Sequence, residues 1–163
     1  MKTILKGNQN IIRIIKNAKK PMVYYISSTL VYGYSSKSLS EKSLTKPVSY
    51  YAKLKLKGEN LFYASNLNYK ILRLSNVYSN KKNNFINTMI NSTVRYNKLF
   101  VNNLNSYRNY IHIDDVVTII KKMLRTNLKY QVYNIGYENL TIKNMINIIK
   151  KKTKSKINYV DKK

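Results

Sequence analysis

Helical apolar periodicity alternates with short apolar runs along the chain. In residues 4–20, isoleucines recur at helical spacing and basic residues lie on the other side. The run from Met22 to Ile26 is too short for a helix and suits a buried parallel strand. The same two patterns predict further helices at 49–65, at 85–96, after a cap at Asp114 or Asp115 and after a cap at Thr141, and further strands at 69–74, 98–101 and 131–135. This alternation predicts an α/β domain with a parallel sheet.

Three stretches show neither pattern. Residues 34–47 and 76–84 are polar and are predicted to be loops, whereas the lysine-rich end, residues 150–163, is predicted to be frayed.

Polar side chains follow two of the predicted strands. Ser27, Ser28 and Thr29 come directly after the first strand, and Ser75 and Asn76 follow the strand at 69–74. In parallel α/β sheets, ligands bind outside the carboxyl ends of the strands. We therefore expect these side chains to face a ligand, although hydroxyl residues are also common in ordinary turns.

The composition excludes several kinds of site. The 163 residues include no cysteine and one histidine, His112. Disulfides, thiolate metal sites and multi-histidine metal sites are therefore excluded, and we expect no metal. No apolar run approaches the roughly 18 residues of a membrane span, so we expect a cytoplasmic protein with no membrane partner. We expect a structural role for His112, because it lies in an alternating, strand-like stretch. The spacing of Ser28, His112 and Asp114 does not support a catalytic triad.

The net charge of +25 is extreme, with 31 Lys plus Arg against 6 Asp plus Glu. Such a surface attracts nucleic acid or other anionic polymers without sequence specificity. The charge is spread along the chain, however, together with many Asn, Ile and Tyr residues, whose codons are AT-rich. We interpret the charge mainly as compositional bias, which makes nucleic acid a less favoured partner and still leaves it open.

A tyrosine and a lysine suggest acid–base chemistry. Tyr51 and Lys55 are four residues apart, so they share one face of the predicted helix. An ammonium group beside a phenol favours the phenolate and lowers the phenol pKa. With the hydroxyl of Ser28, the pair could relay a proton during oxidation of an alcohol or reduction of a ketone. Glu59, one turn further on, is predicted to be a structural partner of Lys55.

Five motifs occur in one order with suitable gaps. They are YISSTLVYG (25–33), the pattern P-x-S-x-Y-x-x-x-K-x-x-x-E (47–59), ILRLSNVYS (71–79), RNYIHIDDV (108–116) and VYNIGYENLTI (132–142). From about Ile4 to Lys150 the chain resembles the NAD-dependent epimerase/dehydratase family of extended short-chain dehydrogenases, with UDP-glucose 4-epimerase as an example. The resemblance implies a partial Rossmann-like, doubly wound parallel sheet that lacks the N-terminal strands, followed by a small C-terminal substrate-binding part.

The resemblance also implies roles for individual residues. Ser28, Tyr51 and Lys55 match the catalytic residues, and Lys55 also matches the residue that holds the nicotinamide ribose and tunes the tyrosine. The positions implied to contact NAD are Ser27, Tyr51, Lys55, Ser75 and Val77. The positions implied to contact a nucleotide-sugar substrate are Thr29, Asn76 and Arg108, and the arginine would bind its diphosphate.

The implied reaction is epimerisation of a UDP-sugar-like nucleotide sugar through a keto intermediate. The family's dehydratases carry two acidic residues after the active-site hydroxyl, whereas Thr29 and Leu30 stand here. Reductase or dehydrogenase chemistry remains open. So do a catalytically dead, basic remnant that binds anionic polymers and a chain with no stable fold.

The resemblance does not extend to the family's first segment. The glycine-rich turn that cradles the NAD diphosphate is absent from these 163 residues. We therefore expect an incomplete NAD site, an N-terminally truncated or separately encoded protein, and an unpaired edge on the strand at 22–26. The predicted divisions are a catalytic half of the NAD-binding domain (1–80), a mostly substrate-binding region (81–150) and a basic tail (151–163). By resemblance, a homodimer would form through helices 4–20 and 49–65.

Overall fold

The computed structural model describes residues 2–18, 21–35, 37–80, 85–96, 98–101, 103–154 and 158–161. The helices are α1 (Lys2–Lys16), α2 (Tyr50–Tyr63), α3 (Phe85–Tyr96), α4 (Ile113–Leu124) and α5 (Ile142–Thr153). The strands are β1 (Val23–Ser28), β2 (Tyr69–Leu74), β3 (Asn76–Tyr78), β4 (Lys98–Val101), β5 (Tyr107–His112), β6 (Val132–Ile135), β7 (Glu138–Thr141) and β8 (Asn158–Asp161). Two compact units divide the chain: Met1–Ser75 with Thr126–Ile135, and Asn76–Arg125 with Gly136–Lys163.

The first unit contains a parallel sheet with the strand order β1-β2-β6. The register pairs Val23 with Tyr69 and continues to Ser28, which pairs with Leu74. The predicted α/β fold with a parallel sheet is therefore confirmed. Strand β2 has the predicted bounds, whereas β1 runs two residues beyond the predicted strand and includes Ser27 and Ser28.

Strand β1 lies at the edge of this sheet. Among the described residues it pairs with β2 alone, as predicted for the strand at 22–26. The amide of Val23 donates to Asn68 in the segment that leads into β2. Because backbone groups alternate along a strand, those of Ile26 face the open edge.

Helices α1 and α2 form the core of the first unit with β1 and β2. The buried cluster consists of Ile12, Tyr25, Phe62, Tyr69 and Ile71. Helix α2 begins where Ser49 accepts a hydrogen bond from the amide of Ala52 at 3.1 Å, which satisfies one otherwise unpaired donor. Helix α1 ends at Lys16, four residues before the predicted end, and residues 19 and 20 lie outside the described residues.

Gly58 lies in the middle of α2, where it lets the helix approach Tyr25. A Cβ atom at this position would collide with the Tyr25 hydroxyl, whereas a Cβ at Gly7 of α1 would meet no atom within 4 Å. We expect Gly58→Ala to lower the free energy of unfolding by about 1–3 kcal/mol because of overpacking. Gly7→Ala should raise it by up to about 1 kcal/mol, which is the usual preference for alanine in a helix.

Urea unfolding of the two glycine variants and the unchanged chain measures both effects. Equal stabilisation by the two alanines would contradict the close approach of α2 to Tyr25.

The second unit combines the sheet β3-β5-β7 with the strand pair β4-β8. Strands β3 and β5 are parallel, whereas β5 and β7 are antiparallel. The core of this unit consists of Met89, Tyr110, Ile142, Met145, Ile146 and Ile149. Helix α3 and strand β4 have the predicted bounds, and Thr141 caps α5 as predicted.

Three predictions for the second unit are wrong. The predicted loop at 76–84 begins with β3, and residues 81–84 lie outside the described residues. Helix α4 is capped by His112, whose Nδ1 accepts from the amide of Asp114 at 3.3 Å, while Asp114 and Asp115 lie in its first turn. The lysine-rich end is ordered where it is described, because α5 continues to Thr153 and β8 pairs with β4.

The described helices include none that is long and apolar enough to cross a membrane.

Candidate active site

Ser28 is the last residue of β1 and leads into a 3-10 helix, Thr29–Tyr32. The Ser28 hydroxyl oxygen accepts from the amide of Leu30 at 3.2 Å, and the residue is only 7% exposed. The short helix ends at Gly33, whose φ of 77° and tight contact with the Lys46 carbonyl favour glycine. This turn holds the Ser28 hydroxyl at the carboxyl end of β1.

Lys55 connects α2 to β1. Its Nζ atom donates to the carbonyl oxygen of Ile26 at 2.8 Å. The same atom lies 5.7 Å from the ring centre of Tyr51 and 5.6 Å from that of Tyr25. The structure therefore brings Lys55 beside both Tyr51 and the strand that ends at Ser28.

The ionisation of Tyr51 and Lys55 is governed by burial. Burial raises the pKa of the Tyr51 phenol and lowers the pKa of the Lys55 ammonium. The prediction that Lys55 lowers the pKa of Tyr51 is therefore wrong. The physical reason is that the ammonium bonds to the Ile26 carbonyl, and the loss of hydration around the phenol prevails.

Ser27 belongs to a buried ionic cluster. Its hydroxyl donates to Glu59 Oε1 at 2.5 Å. Arg73 holds the same carboxylate with two nitrogens, Nε at 3.0 Å and Nη2 at 2.6 Å. Glu59 is 0% exposed. The prediction that Glu59 pairs with Lys55 is therefore wrong, because its partners lie on β1 and β2.

The third nitrogen of Arg73 extends the cluster. Nη1 donates to the hydroxyl of Tyr32 at 2.8 Å, and that hydroxyl donates to Asn134 Oδ1 at 2.8 Å. Burial alone would lower the pKa of Arg73, but the hydrogen bonds to Glu59 and Tyr32 and the charge of Glu59 raise it above its ordinary value. Arg73 is therefore charged at neutral pH.

Sequence reasoning did not identify this cluster. Two signals pointed to it. Arg73 lies in a strand that is predicted to be buried, and a buried cation requires a partner. Glu59 also follows Tyr51 and Lys55 at four-residue intervals, which places all three on one face of α2.

Ser75 follows β2, next to the end of β1. Its amide donates to the carbonyl of Ile135 at 2.9 Å. Its hydroxyl is buried and has no hydrogen-bond partner among the described residues, and the residue is 9% exposed. A buried hydroxyl without a partner is costly, so this position suits a polar group of a bound ligand.

Thr29 begins the 3-10 helix of the first unit, and three predicted site residues belong to the second unit. Asn76 Nδ2 donates to the carbonyl of Asn109 at 2.8 Å, and Val77 pairs with Ile111 of β5. Arg108 is half-buried on β5, opposite Leu140 of β7. Asn76 and Val77 are thus held on the sheet that also carries Arg108.

Comparisons with known proteins place these observations in a family. The sequence profile of the NAD dependent epimerase/dehydratase family matches residues 1–136. A dTDP-D-glucose 4,6-dehydratase from Dictyostelium discoideum is 29% identical over an alignment of 166 positions, and the alignment covers 87% of this chain and 38% of that protein. The chain therefore spans well under half of this curated relative.

Solved structures are similar over nearly the whole chain. UDP-glucuronic acid 4-epimerase from Bacillus cereus, in complex with UDP-glucuronic acid and NAD, has a TM-score of 0.86 and 25% identity, covering 97% of this chain and 54% of that one. dTDP-glucose 4,6-dehydratase from Bacillus anthracis, in complex with NAD, has a TM-score of 0.86 and 21% identity, with coverages of 99% and 56%, and shows the fold alone. The fold is thus the Rossmann-like α/β fold of these enzymes, and the chain belongs to the NAD-dependent epimerase/dehydratase family.

Proposed function

We propose that this chain carries the catalytic residues of an NAD-dependent enzyme that epimerises a nucleotide sugar of the UDP-sugar kind. The observation that carries the proposal is the placement of Lys55, which lies beside Tyr51 and bonds to the strand that ends at Ser28. Three groups that can hold or move a proton are thereby tied to one helix and one strand end.

The three residues divide the proton chemistry between them. Tyr51, as phenolate, would accept the proton of a sugar hydroxyl, and Ser28 would donate a hydrogen bond to the same oxygen. Lys55 would hold the ribose of the cofactor through its ammonium group. When bound, NAD supplies an acceptor for the hydride of the sugar carbon and returns it to the other face.

The remaining contacts follow from the same proposal. Ser75 suits a cofactor contact because its buried hydroxyl lacks a partner among the described residues, and Val77 is likewise proposed as a cofactor contact. Ser27 would contact NAD while its hydroxyl continues to donate to Glu59. Thr29 and Asn76 would contact the sugar nucleotide, and the guanidinium of Arg108 suits its diphosphate.

Epimerisation is favoured over dehydration at the end of β1. Removal of water requires a further acid and base, and the side chains that follow Ser28 are those of Thr29 and Leu30. Neither can donate or accept a proton as a carboxyl group does.

The test is a product analysis by NMR in D₂O. The chain is incubated with NAD and, in turn, UDP-glucose, UDP-glucuronic acid and dTDP-glucose, with a control that lacks NAD. We expect an epimer that carries no deuterium at the inverted carbon, since the hydride removed there returns to it. A dehydrated keto product or a build-up of NADH would contradict epimerisation, whereas no conversion by a folded chain is the result expected if its NAD site is incomplete.

A further inference from the structure

Helix α2 is attached to β1 by a row of polar contacts. The Tyr25 hydroxyl donates to the carbonyl of Lys55 at 3.4 Å, and Lys55 Nζ donates to the carbonyl of Ile26 at 2.8 Å. Next along the strand, Ser27 donates to Glu59. Three consecutive residues of β1 are thus bound by two residues of α2, Lys55 and Glu59, which lie one turn apart, and the row ends one residue before Ser28.

Among these contacts, the one at Glu59 is the most constrained. Arg73 donates hydrogen bonds to both carboxylate oxygens of Glu59, and a bidentate contact between planar groups fixes direction as well as distance. The guanidinium is itself held by Tyr32, whose ring centre lies 4.8 Å from the Arg73 Cζ. Glu59 therefore has little freedom to shift or turn.

The helical repeat transmits this constraint to the reactive groups. Tyr51, Lys55 and Glu59 lie on one face of α2, since side chains four apart in a helix are neighbours. A rotation of α2 about its axis would break the Glu59 contacts and turn Tyr51 and Lys55 away from β1. Gly58 brings the helix close enough to β1 for these contacts to form.

We propose that Glu59 and Arg73 are positioning residues that set the rotation of α2 and so direct Tyr51 and Lys55 toward the end of β1. The roles of Tyr51 and Lys55 rest on the proposed function, but the geometry can be measured without turnover. The ion pair then does more than stabilise the fold, because it also fixes the orientation of Tyr51 and Lys55 relative to Ser28.

The experiment reads Tyr51 directly, in the full chain. Tyrosines are labelled with ¹³C at Cζ, the Tyr51 signal is identified by its loss in Tyr51→Phe, and its shift is followed against pH. The main variant is the double substitution Glu59→Leu with Arg73→Leu, which removes both buried charges together and so leaves neither charge unpaired. The matched control is Lys70→Met, which removes another buried cation of β2, one that projects from the opposite face and binds the carbonyls of Leu128 and Tyr130.

In the double variant we expect the ¹³C chemical shift of Tyr51 to change and its titration midpoint to fall toward the ordinary tyrosine value. The reason is that the Tyr51 phenol is no longer held in its half-buried position. In Lys70→Met both should stay as in the unchanged chain. If the double variant fails to fold, Arg73→Lys takes its place, since lysine cannot reproduce the two-pronged contact. An unchanged Tyr51 signal and midpoint in whichever variant folds would overturn the proposal.

A kinetic readout separates this proposal from the proposed function. If the chain turns over a nucleotide sugar, the same variant should lose about 10²-fold in kcat with KM nearly unchanged, as expected for a displaced catalytic group. A shifted Tyr51 signal in a chain without turnover would support the positioning role independently of the proposed function.

Discussion

Replacing Arg73 with leucine is expected to lower the free energy of unfolding by about 3–5 kcal/mol, the usual cost of leaving one charge of a buried pair alone. Glu59 would remain fully buried and, among the described residues, would keep only the hydroxyl of Ser27 as a hydrogen-bond partner. Tyr32 would also lose the donor at its hydroxyl. Urea unfolding followed by circular dichroism gives the difference between the variant and the unchanged chain.

Two controls make this result specific. Adding Glu59→Leu to Arg73→Leu should recover most of the loss, because the stranded carboxylate is removed. Arg95→Leu, at an exposed position of α3, should change stability by less than about 0.5 kcal/mol. A loss below about 1 kcal/mol for Arg73→Leu alone would show that the pair does not bear on stability.

Tyr51→Phe is expected to reduce kcat/KM by about 10²–10⁴-fold if the proposed chemistry is correct, because the variant lacks the group that accepts the proton. Tyr51 is 49% exposed, so loss of its hydroxyl should leave stability nearly unchanged. Tyr50→Phe is the matched control, since Tyr50 precedes Tyr51 on the same helix and is 55% exposed. Equal rates for the two variants would remove Tyr51 from the mechanism.

The pH profile provides an independent test of the same residue. A base acts when deprotonated, and burial raises the pKa of Tyr51. The value of kcat/KM should therefore rise with pH through the alkaline range, toward the raised pKa of Tyr51. A profile that is flat above neutrality would mean that another group limits the rate.

The alternation of helices and strands could be predicted because it depends on local apolar patterns. The bounds of α3, β2 and β4 followed from such patterns alone. Strands β3 and β7 could not be predicted, since they are short, carry few apolar residues and exist through pairing with β5. Strand β1 was predicted too short because Ser27 and Ser28 resemble turn residues, whereas the partner of Ser27 lies 32 residues away.

The candidate site was predictable at Tyr51 and Lys55, whose spacing places them together on any helix. The partner of the buried charge on Glu59 was harder to predict. A local rule assigns Glu59 to Lys55, but the bidentate geometry available from Arg73 prevails. The pKa of Tyr51 depends on burial, which no local pattern reports. The catalytic roles of Ser28, Tyr51 and Lys55 remain predictions, as do the roles of all predicted ligand contacts and any task for the net charge.

The contact between Lys55 and the Ile26 carbonyl has a consequence for solubility. An open strand edge invites pairing with the edge of another molecule, and natural sheets discourage this by placing lysine there. Lys55 covers one of the carbonyls that would accept such a strand and adds a charge beside it. A variant at Lys55 could therefore lose activity through aggregation as well as through chemistry, and its kinetics become informative only once it has been shown to be monodisperse.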